Sequence, residues 1–254
     1  MKPRTILITG GTGKFGRALA SHFLSAGDSV VATCRTDESL EKLRAEHANS
    51  GKKLTGIKID LTDPDAVKTL RAQLDANNIT PDCLINNARS ISFLKIEEDG
   101  LVSRENFANE YLLDVIVPYE LTMALVMQKN SRLRRVVNIG SMYGTVAANP
   151  HLYTDPIKQS PLHYGVAKAA LAHLTKELAV RLADKGIQVN CVAFGGVEGR
   201  VDEAFKQRYA QLCPLGRMLR EDEVVSPVDM LLSDKCSGVT GHILAVDGGW
   251  SIWL

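Results

Sequence analysis

Seven short runs of β-branched and aliphatic residues punctuate the chain, at Thr5–Thr9, Ser29–Cys34, Leu54–Ile59, Cys83–Asn86, Arg135–Ile139, Gln188–Val192 and His242–Val246. They are nearly continuous in apolar character, the pattern of strands covered on both faces in a parallel sheet. The stretches between them carry helical spacing. Phe15, Leu19, Ala20, Phe23 and Leu24 form one apolar stripe, closed by Ala26-Gly27. Thr62-Asp63-Pro64 predicts an N-cap followed by proline in the first turn of a helix running to about Asn77. Ser160–Lys185 is a long helical stretch rich in small residues. This βα alternation predicts an α/β fold with a doubly wound sheet and right-handed crossovers. No linker, repeat or low-complexity tract interrupts it, so residues 1–254 are expected to form a single domain.

Composition narrows the functional classes. Of 254 residues 45% are apolar and 23% charged, ordinary globular usage that can fill a large core. A net charge of +1 with no basic run argues against a nucleic-acid or membrane-surface partner. No apolar run approaches the ~20 residues of a membrane span, and Met1–Gly10 does not look like a signal peptide, so a cytoplasmic protein is expected. The five cysteines (Cys34, Cys83, Cys191, Cys213, Cys236) are scattered and form no CxxC pair; the first three sit in or beside strand-like runs and read as buried, inert thiols. The six histidines form no HxxxH or HxH group, and no metal is expected.

Candidate chemistry begins after the first strand. Thr9-Gly10-Gly11-Thr12-Gly13-Lys14-Phe15-Gly16 joins that strand to the first helix. Glycines there let the backbone approach a pyrophosphate, while the helix N-terminus presents free N–H groups and a positive dipole end. Gly10, Thr12, Gly13, Lys14, Phe15 and Gly16 are therefore candidate cofactor contacts. A carboxylate at the end of the second strand would accept the ribose hydroxyls of NAD, whereas a base favours the 2′-phosphate of NADP. The chain has Cys34-Arg35 there, with no carboxylate before Asp37. NADP(H) is thus the preferred cofactor and NAD(H) the alternative. Lys14 could supply a second positive charge. Asp60, ending the third strand, is a candidate adenine contact or a helix cap, and Asn86-Asn87-Ala88 ends the fourth strand where amides can line a cofactor cleft.

Ser141 lies beyond the fifth strand, and Tyr164-Gly165-Val166-Ala167-Lys168 falls in the long helix. Positions four apart share a helix face, so Tyr164 and Lys168 point into the same space. A lone YxxxK usually marks a wet helix face; its conjunction with a nucleotide loop and a serine at a strand end is specific.

Taken together, TGGTGKFG (Thr9–Gly16), Asp60-Leu61, NNA (Asn86–Ala88), Ser141, YGVAK (Tyr164–Lys168), VNCVAFGG (Val189–Gly196) and TGHILAVDGG (Thr240–Gly249) resemble the short-chain dehydrogenase/reductase family over nearly the whole chain. The resemblance implies a Rossmann-type, seven-stranded parallel sheet with helices on both faces. It also implies catalysis by Ser141, Tyr164 and Lys168, with cofactor contacts at the glycine loop, Asp60, Leu61, Asn87, Ala88, Tyr164, Lys168 and the backbone from Gly195 to Val197. The chemistry has a physical basis. A tyrosine hydroxyl ionises near pH 10, so acid/base work near neutrality needs roughly 4 kcal/mol of help. A lysine ammonium about 4 Å away supplies attraction of that order at an effective dielectric near 20. Ser141 would steady the charge developing on the reacting oxygen.

The chain departs from the family pattern in three respects. Its TGxxGxxG spacing is similar to the extended branch of sugar-nucleotide epimerases and dehydratases, whereas the short C-terminal part and VDGG ending look like the compact oxidoreductase branch. Arg89 stands where a glycine usually completes NNAG, and Phe194 replaces the usual proline before Gly195. Asp114 takes the place of the catalytic asparagine, which in the family helps hold a helix bend and a water; an ionised Asp114 near Lys168 would raise the lysine pKa and offset its field at Tyr164. A structural carboxylate bound by backbone N–H groups is the other reading of Asp114.

Two lips are expected around the site, 142–163 and 197–214. The first is about ten residues longer than is usual in the family, and long loops are usually functional. Asn149, His151, Tyr153, Asp155 and Lys158 on one lip, and Arg200, Asp202, Lys206, Arg208 and Tyr209 on the other, suit a hydroxylated or anionic small molecule. The segment from Ser141 to Lys168 also resembles family members associated with flagellin modification and nonulosonic-acid sugar synthesis, which implies a sugar-derived substrate. Small residues in Ser160–Lys185, the apolar end Gly249–Leu254 and the resemblance together imply a homotetramer or homodimer. The leading expectation is an NADP(H)-dependent oxidoreductase. A sugar-nucleotide epimerase or dehydratase, and a non-catalytic dinucleotide-binding sensor, are the competing classes.

Overall fold

The computed structural model describes residues 3–48, 53–199 and 201–253. Seven parallel strands, β1 (Thr5–Ile8), β2 (Ser29–Cys34), β3 (Leu54–Lys58), β4 (Cys83–Asn86), β5 (Arg135–Ser141), β6 (Gln188–Phe194) and β7 (Ile243–Val246), form one sheet. Their order is β3-β2-β1-β4-β5-β6-β7. The chain winds outward from β1 to β3 and then returns to lay β4 against β1, pairing Leu7 with Leu84. A crevice therefore opens where the carboxyl ends of β1 and β4 diverge, the place where ligands bind in sheets of this topology.

Successive strand residues feed opposite faces. Ile6, Ile8, Val30, Ala32, Val137 and Ile139 enter one core with Leu19 and Phe23 of α1 (Lys14–Ser25) and Val228 and Leu231 of α9 (Val225–Leu232). Leu7, Val31, Leu84 and Val136 enter the other, against α3 (Ala66–Ala76), α5 (Val117–Val126) and α7 (Leu162–Arg181). Both faces of the central strands are thus dry, which is why those strands read as nearly unbroken apolar runs. Cys83 and Cys191 are buried thiols that burial pushes up to about 12, in keeping with inert core residues.

Several boundaries differ from the sequence expectation. β5 and β6 each run two residues further, so Ser141 is the last residue of β5 rather than a loop residue. Thr62-Asp63-Pro64 does not cap α3. The helix begins at Ala66 behind Asp65, while the Thr62 N–H and hydroxyl donate to Asp60 at 3.0 and 2.8 Å, so that a local turn comes first. Ser160–Lys185 divides into Pro161, helix α7 and a separate 3-10 turn at Ala183–Lys185.

Candidate active site

A cleft of about 680 Å³ opens at the carboxyl edge of the sheet. Gly10, Thr12, Gly13, Lys14 and Phe15 line one end, with Arg35, Asp60, Leu61, Asn87 and Ala88 beside them; Ser141, Tyr164, Lys168, Gly195 and Val197 line the other.

The loop after β1 is held by the strands on either side. Gly10 N–H donates to the Thr33 hydroxyl at 3.2 Å and Gly11 N–H to the Thr33 carbonyl at 2.9 Å. From β4, the N–H groups of Asn87 and Ala88 donate to the Thr9 hydroxyl at 2.9 and 3.0 Å, and the Asn87 amide donates to the carbonyls of Thr9 and Gly10. Thr9 was not singled out from the sequence as a site residue, yet it locks the two walls of the crevice together. Gly16 corrects the expectation for the glycine loop. It does not line the cleft, and a Cβ there would meet Gly10 and Gly11, the latter's Cα at 2.6 Å. Its service is to let α1 press against the loop. This backbone cradle, open on its outer side, fits a pyrophosphate.

Lys14 is also corrected in part. Its Nζ donates to the Glu198 carbonyl and lies 3.7 Å from a Glu221 carboxylate oxygen, so its charge spans the cleft mouth instead of joining Arg35. Arg35 is exposed on the rim and has no ion-pair partner among the described residues. The nearest downstream carboxylate in sequence, Asp37, is paired with Lys58 at 2.6 Å. Phe194 packs edge-on against Phe15 with ring centres 5.5 Å apart, bracing the start of α1 from β6.

At the other end a chain of buried amides orients α7. Asn86 Nδ2 donates to Asn138 Oδ1 at 2.8 Å, Asn138 Nδ2 to the Thr175 hydroxyl at 2.9 Å, and that hydroxyl to the Leu171 carbonyl. Sequence reasoning missed Asn138 and Thr175; an asparagine inside the apolar run RVVNIGS was the available signal, since buried polar groups require partners. Gly144, just past β5, makes a second close approach. A Cβ there would meet the Lys168 carbonyl oxygen at 2.8 Å, so only glycine lets this turn touch α7 and bring Ser141 beside Tyr164.

Lys168 Nζ lies 5.6 Å from the Tyr164 ring centre, as their four-residue spacing requires. The ammonium donates to Asp114 Oδ1 at 2.8 Å and to the Ile139 carbonyl at 3.0 Å, leaving one of its three donors for the cleft. Lys168 is 6% and Asp114 3% exposed. Burial alone would lower the lysine pKa, but the Asp114 charge and hydrogen bond outweigh it and the pKa is raised. Asp114 therefore bonds the lysine and not backbone N–H groups, and its second oxygen has no partner among the described residues. It sits in a π-helical turn, Leu112–Ile116, between α4 (Arg104–Tyr111) and α5. Pro118 lacks the N–H that an α-helix would direct to the Asp114 carbonyl, which explains the local widening. Glu110, one turn earlier, is also buried; burial first and Asp114 second push its carboxyl up to about 7.

The lips differ most from expectation. Asn149, His151, Asp155 and Lys158 do not line the cleft, nor do Asp202, Lys206 and Arg208. Asn149, Asp155 and Asp202 accept from N–H groups of their own turns, Lys206 pairs with Glu203, and Arg208 ties the lips together by donating to the Leu152 carbonyl. Arg200 lies outside the described residues. The lining is instead aromatic and apolar: Tyr143, Leu152, Tyr153, Phe205, Tyr209 and Met218. Tyr143 and Tyr153 bond hydroxyl to hydroxyl at 2.8 Å, and the Tyr209 hydroxyl accepts from Gly196 N–H at 2.9 Å. Burial pushes all three phenols upward, so they stay protonated. Arg89 lies at this end too, its guanidinium carbon 5.1 Å from the Tyr164 ring centre.

A doubly wound parallel sheet with a glycine cradle at its switch point and a serine, tyrosine and lysine converging beside it defines a class of dinucleotide-dependent oxidoreductases. The chain belongs to the short-chain dehydrogenase/reductase family: its residues 13–251 match the family model described as enoyl-(acyl carrier protein) reductase. It is 31% identical to the 3-oxoacyl-(acyl-carrier-protein) reductase FabG of Aquifex aeolicus, covering 98% of each chain. It is 32% identical to an uncharacterized short-chain type dehydrogenase/reductase of Sinorhizobium fredii, where 97% of this chain spans 43% of that protein. Among solved structures, a short-chain dehydrogenase from Leptospira borgpetersenii with bound NAD+ superposes with a TM-score of 0.86 at 29% identity, covering 99% of this chain and 94% of that one. No helix among the described residues is long and apolar enough to cross a membrane.

Proposed function

We propose that the protein is an NADP(H)-dependent oxidoreductase that interconverts a hydroxyl and a carbonyl on a small molecule. The observation that carries this reading is the meeting of Ser141, Tyr164 and Lys168 in the same cleft as the glycine cradle. Gly10, Thr12, Gly13, Phe15, Asp60, Leu61, Asn87, Ala88, Gly195 and Val197 line the cleft where they would hold the dinucleotide, whose nicotinamide would supply or accept the hydride. Tyr164 gives a proton to the carbonyl oxygen in reduction and takes it back in oxidation. Lys168, fixed by Asp114 and Ile139, favours the ionised tyrosine with its remaining charge and offers its third N–H to the cleft. The Ser141 Oγ accepts from Tyr143 N–H at 3.2 Å, which leaves its proton free to bond the reacting oxygen.

NADP(H) is favoured over NAD(H) by Arg35, exposed at the end of β2, and by the pairing of Asp37 with Lys58. Asn149, His151, Asp155, Lys158, Asp202, Lys206 and Arg208, which suggested a hydroxylated or anionic ligand, do not line the cleft, and an aromatic, apolar wall stands in their place. That wall favours a compact oxo or hydroxy compound with few hydroxyls, a chemistry nearer that named for the FabG relative than an open polyhydroxylated sugar. The test is titration of NADPH and NADH into the purified protein, followed by nicotinamide fluorescence, with Arg35→Ala alongside. NADPH should bind about tenfold or more tightly than NADH, and the variant should lose that margin. Preference for NADH overturns the Arg35 assignment, and no binding of either overturns the enzyme reading.

A further inference from the structure

Arg89 continues the turn in which Asn87 and Ala88 are pinned to Thr9, so its backbone is fixed at the cleft wall. Its side chain is exposed to the cleft, with its guanidinium over the face of Tyr164. No carboxylate pairs with it among the described residues, although a guanidinium is built for planar, two-point recognition of an oxyanion. Among the described residues the other cations near the cleft are occupied, apart from Arg35 at its far end. Lys168 is bound to Asp114, Lys14 reaches Glu198 and Glu221, and Arg208 holds the Leu152 carbonyl. The two acids near it do not neutralise it, since Asp114 is already shared with Lys168 and Glu110 is held partly protonated near neutrality by burial. An unpaired cation thus stands within a carboxylate's reach of any molecule whose reacting oxygen touches the Tyr164 hydroxyl.

We propose that Arg89 is a specificity-determining residue that selects substrates bearing a carboxylate close to the reacting carbon, as in a 2- or 3-oxo acid and the matching hydroxy acid. This rests on the oxidoreductase reading above and names its substrate class. The aromatic wall formed by Tyr143, Tyr153 and Phe205 then receives the rest of the molecule. An oxo acid reduced there takes the hydride on its carbonyl carbon and a proton from Tyr164 on its oxygen, while its carboxylate stays ionised against Arg89.

Two measurements test the proposal, one of which needs no turnover. Calorimetric titration with benzoate and with benzamide, in the presence and absence of NADP+, reads carboxylate recognition directly. Benzoate should bind more tightly than benzamide by the order of 10- to 100-fold expected of hydrogen bonds to a charged partner, and Arg89→Ala should abolish the difference while Arg89→Lys keeps part of it. The second compares reduction by NADPH of benzoylformate with its methyl ester, and of 3-oxobutanoate with its methyl ester. The acid-to-ester ratio of kcat/KM should exceed ten and collapse in Arg89→Ala through the KM of the acids, while the KM of the esters changes little. Equal binding of benzoate and benzamide, or esters turned over as well as acids, overturns the proposal. A loss of kcat/KM in Arg89→Ala that falls equally on acids and esters would instead make the guanidinium a modulator of Tyr164 and also overturn it. Failure of dinucleotide binding in the preceding titration marks failure of the parent reading, and the benzoate titration of the unloaded protein still decides this one.

Discussion

Replacing Asp114 by asparagine keeps the side-chain shape and an acceptor for Lys168 but removes a buried charge. Lys168 Nζ is 5.6 Å from the Tyr164 ring centre and 2.8 Å from Asp114 Oδ1, so that oxygen lies within about 8.4 Å of the ring. At an effective dielectric near 20, one charge at that distance acts on another with ~2 kcal/mol, equivalent to roughly 1.4 pH units. The sign is clear: a carboxylate there opposes the ionised tyrosine, and its loss favours it. The acid limb of kcat for alcohol oxidation should therefore move to lower pH by about one unit. The alkaline limb should follow, because burial continues to disfavour the Lys168 ammonium once its partner has gone. Glu110 complicates the magnitude. Relieved of its neighbour, this carboxyl ionises more readily and returns part of the lost charge, so Asp114→Asn with Glu110→Gln should shift further than the single variant. The assay is the pH dependence of kcat for oxidation across the neutral and alkaline range. An unmoved profile, or one displaced to higher pH, would refute the electrostatic role of Asp114.

Two further outcomes are expected. Glu110 has its folded-state carboxyl raised from 4.5 to about 7, so the folded protein binds the extra proton and stability falls as pH rises through that window. Glu110→Gln should match the wild type in unfolding free energy below pH 4.5 and exceed it above pH 7 by about 3 kcal/mol, seen as a higher Tm there; a pH-independent difference removes the explanation. Tyr111 on α4, Ile116 on the π-helical turn, Tyr119 on α5, Val166 on α7, and Ile252 and Trp253 at the described C-terminal end are exposed apolar residues of the kind that subunit contacts cover. The protein should therefore run as a homodimer or homotetramer in light scattering, and a clean monomer rejects that expectation.

Much of this architecture is legible in the sequence. Central strands walled in by helices on both sides are largely apolar, so they announced themselves as nearly unbroken runs, while the edge strands β3 and β7 are only partly buried. Helical geometry placed Tyr164 and Lys168 on one face from their spacing alone, and the glycine loop declared its backbone chemistry because only glycine fits such a turn. Boundaries were less secure wherever local turn chemistry competed, as at Asp60-Thr62, where the carboxylate closed a turn before the helix could begin. The polar lip residues misled because their types suit both ligand binding and turn capping, and Asn149, Asp155 and Asp202 were engaged by their own backbones.

The partners of side chains distant in sequence were decided only by packing. Nothing in the local pattern around Asp114 or Lys168 states that they touch, yet 54 residues apart they form a buried pair because α7 and the π-helical turn are pressed together. The same holds for Arg89 above Tyr164 and for Thr9 between β1 and β4. Periodicity reports which face of an element avoids water. Which group meets which across that face depends on crossing angles and close approaches set by residues such as Gly16 and Gly144, and those exist only in the folded chain.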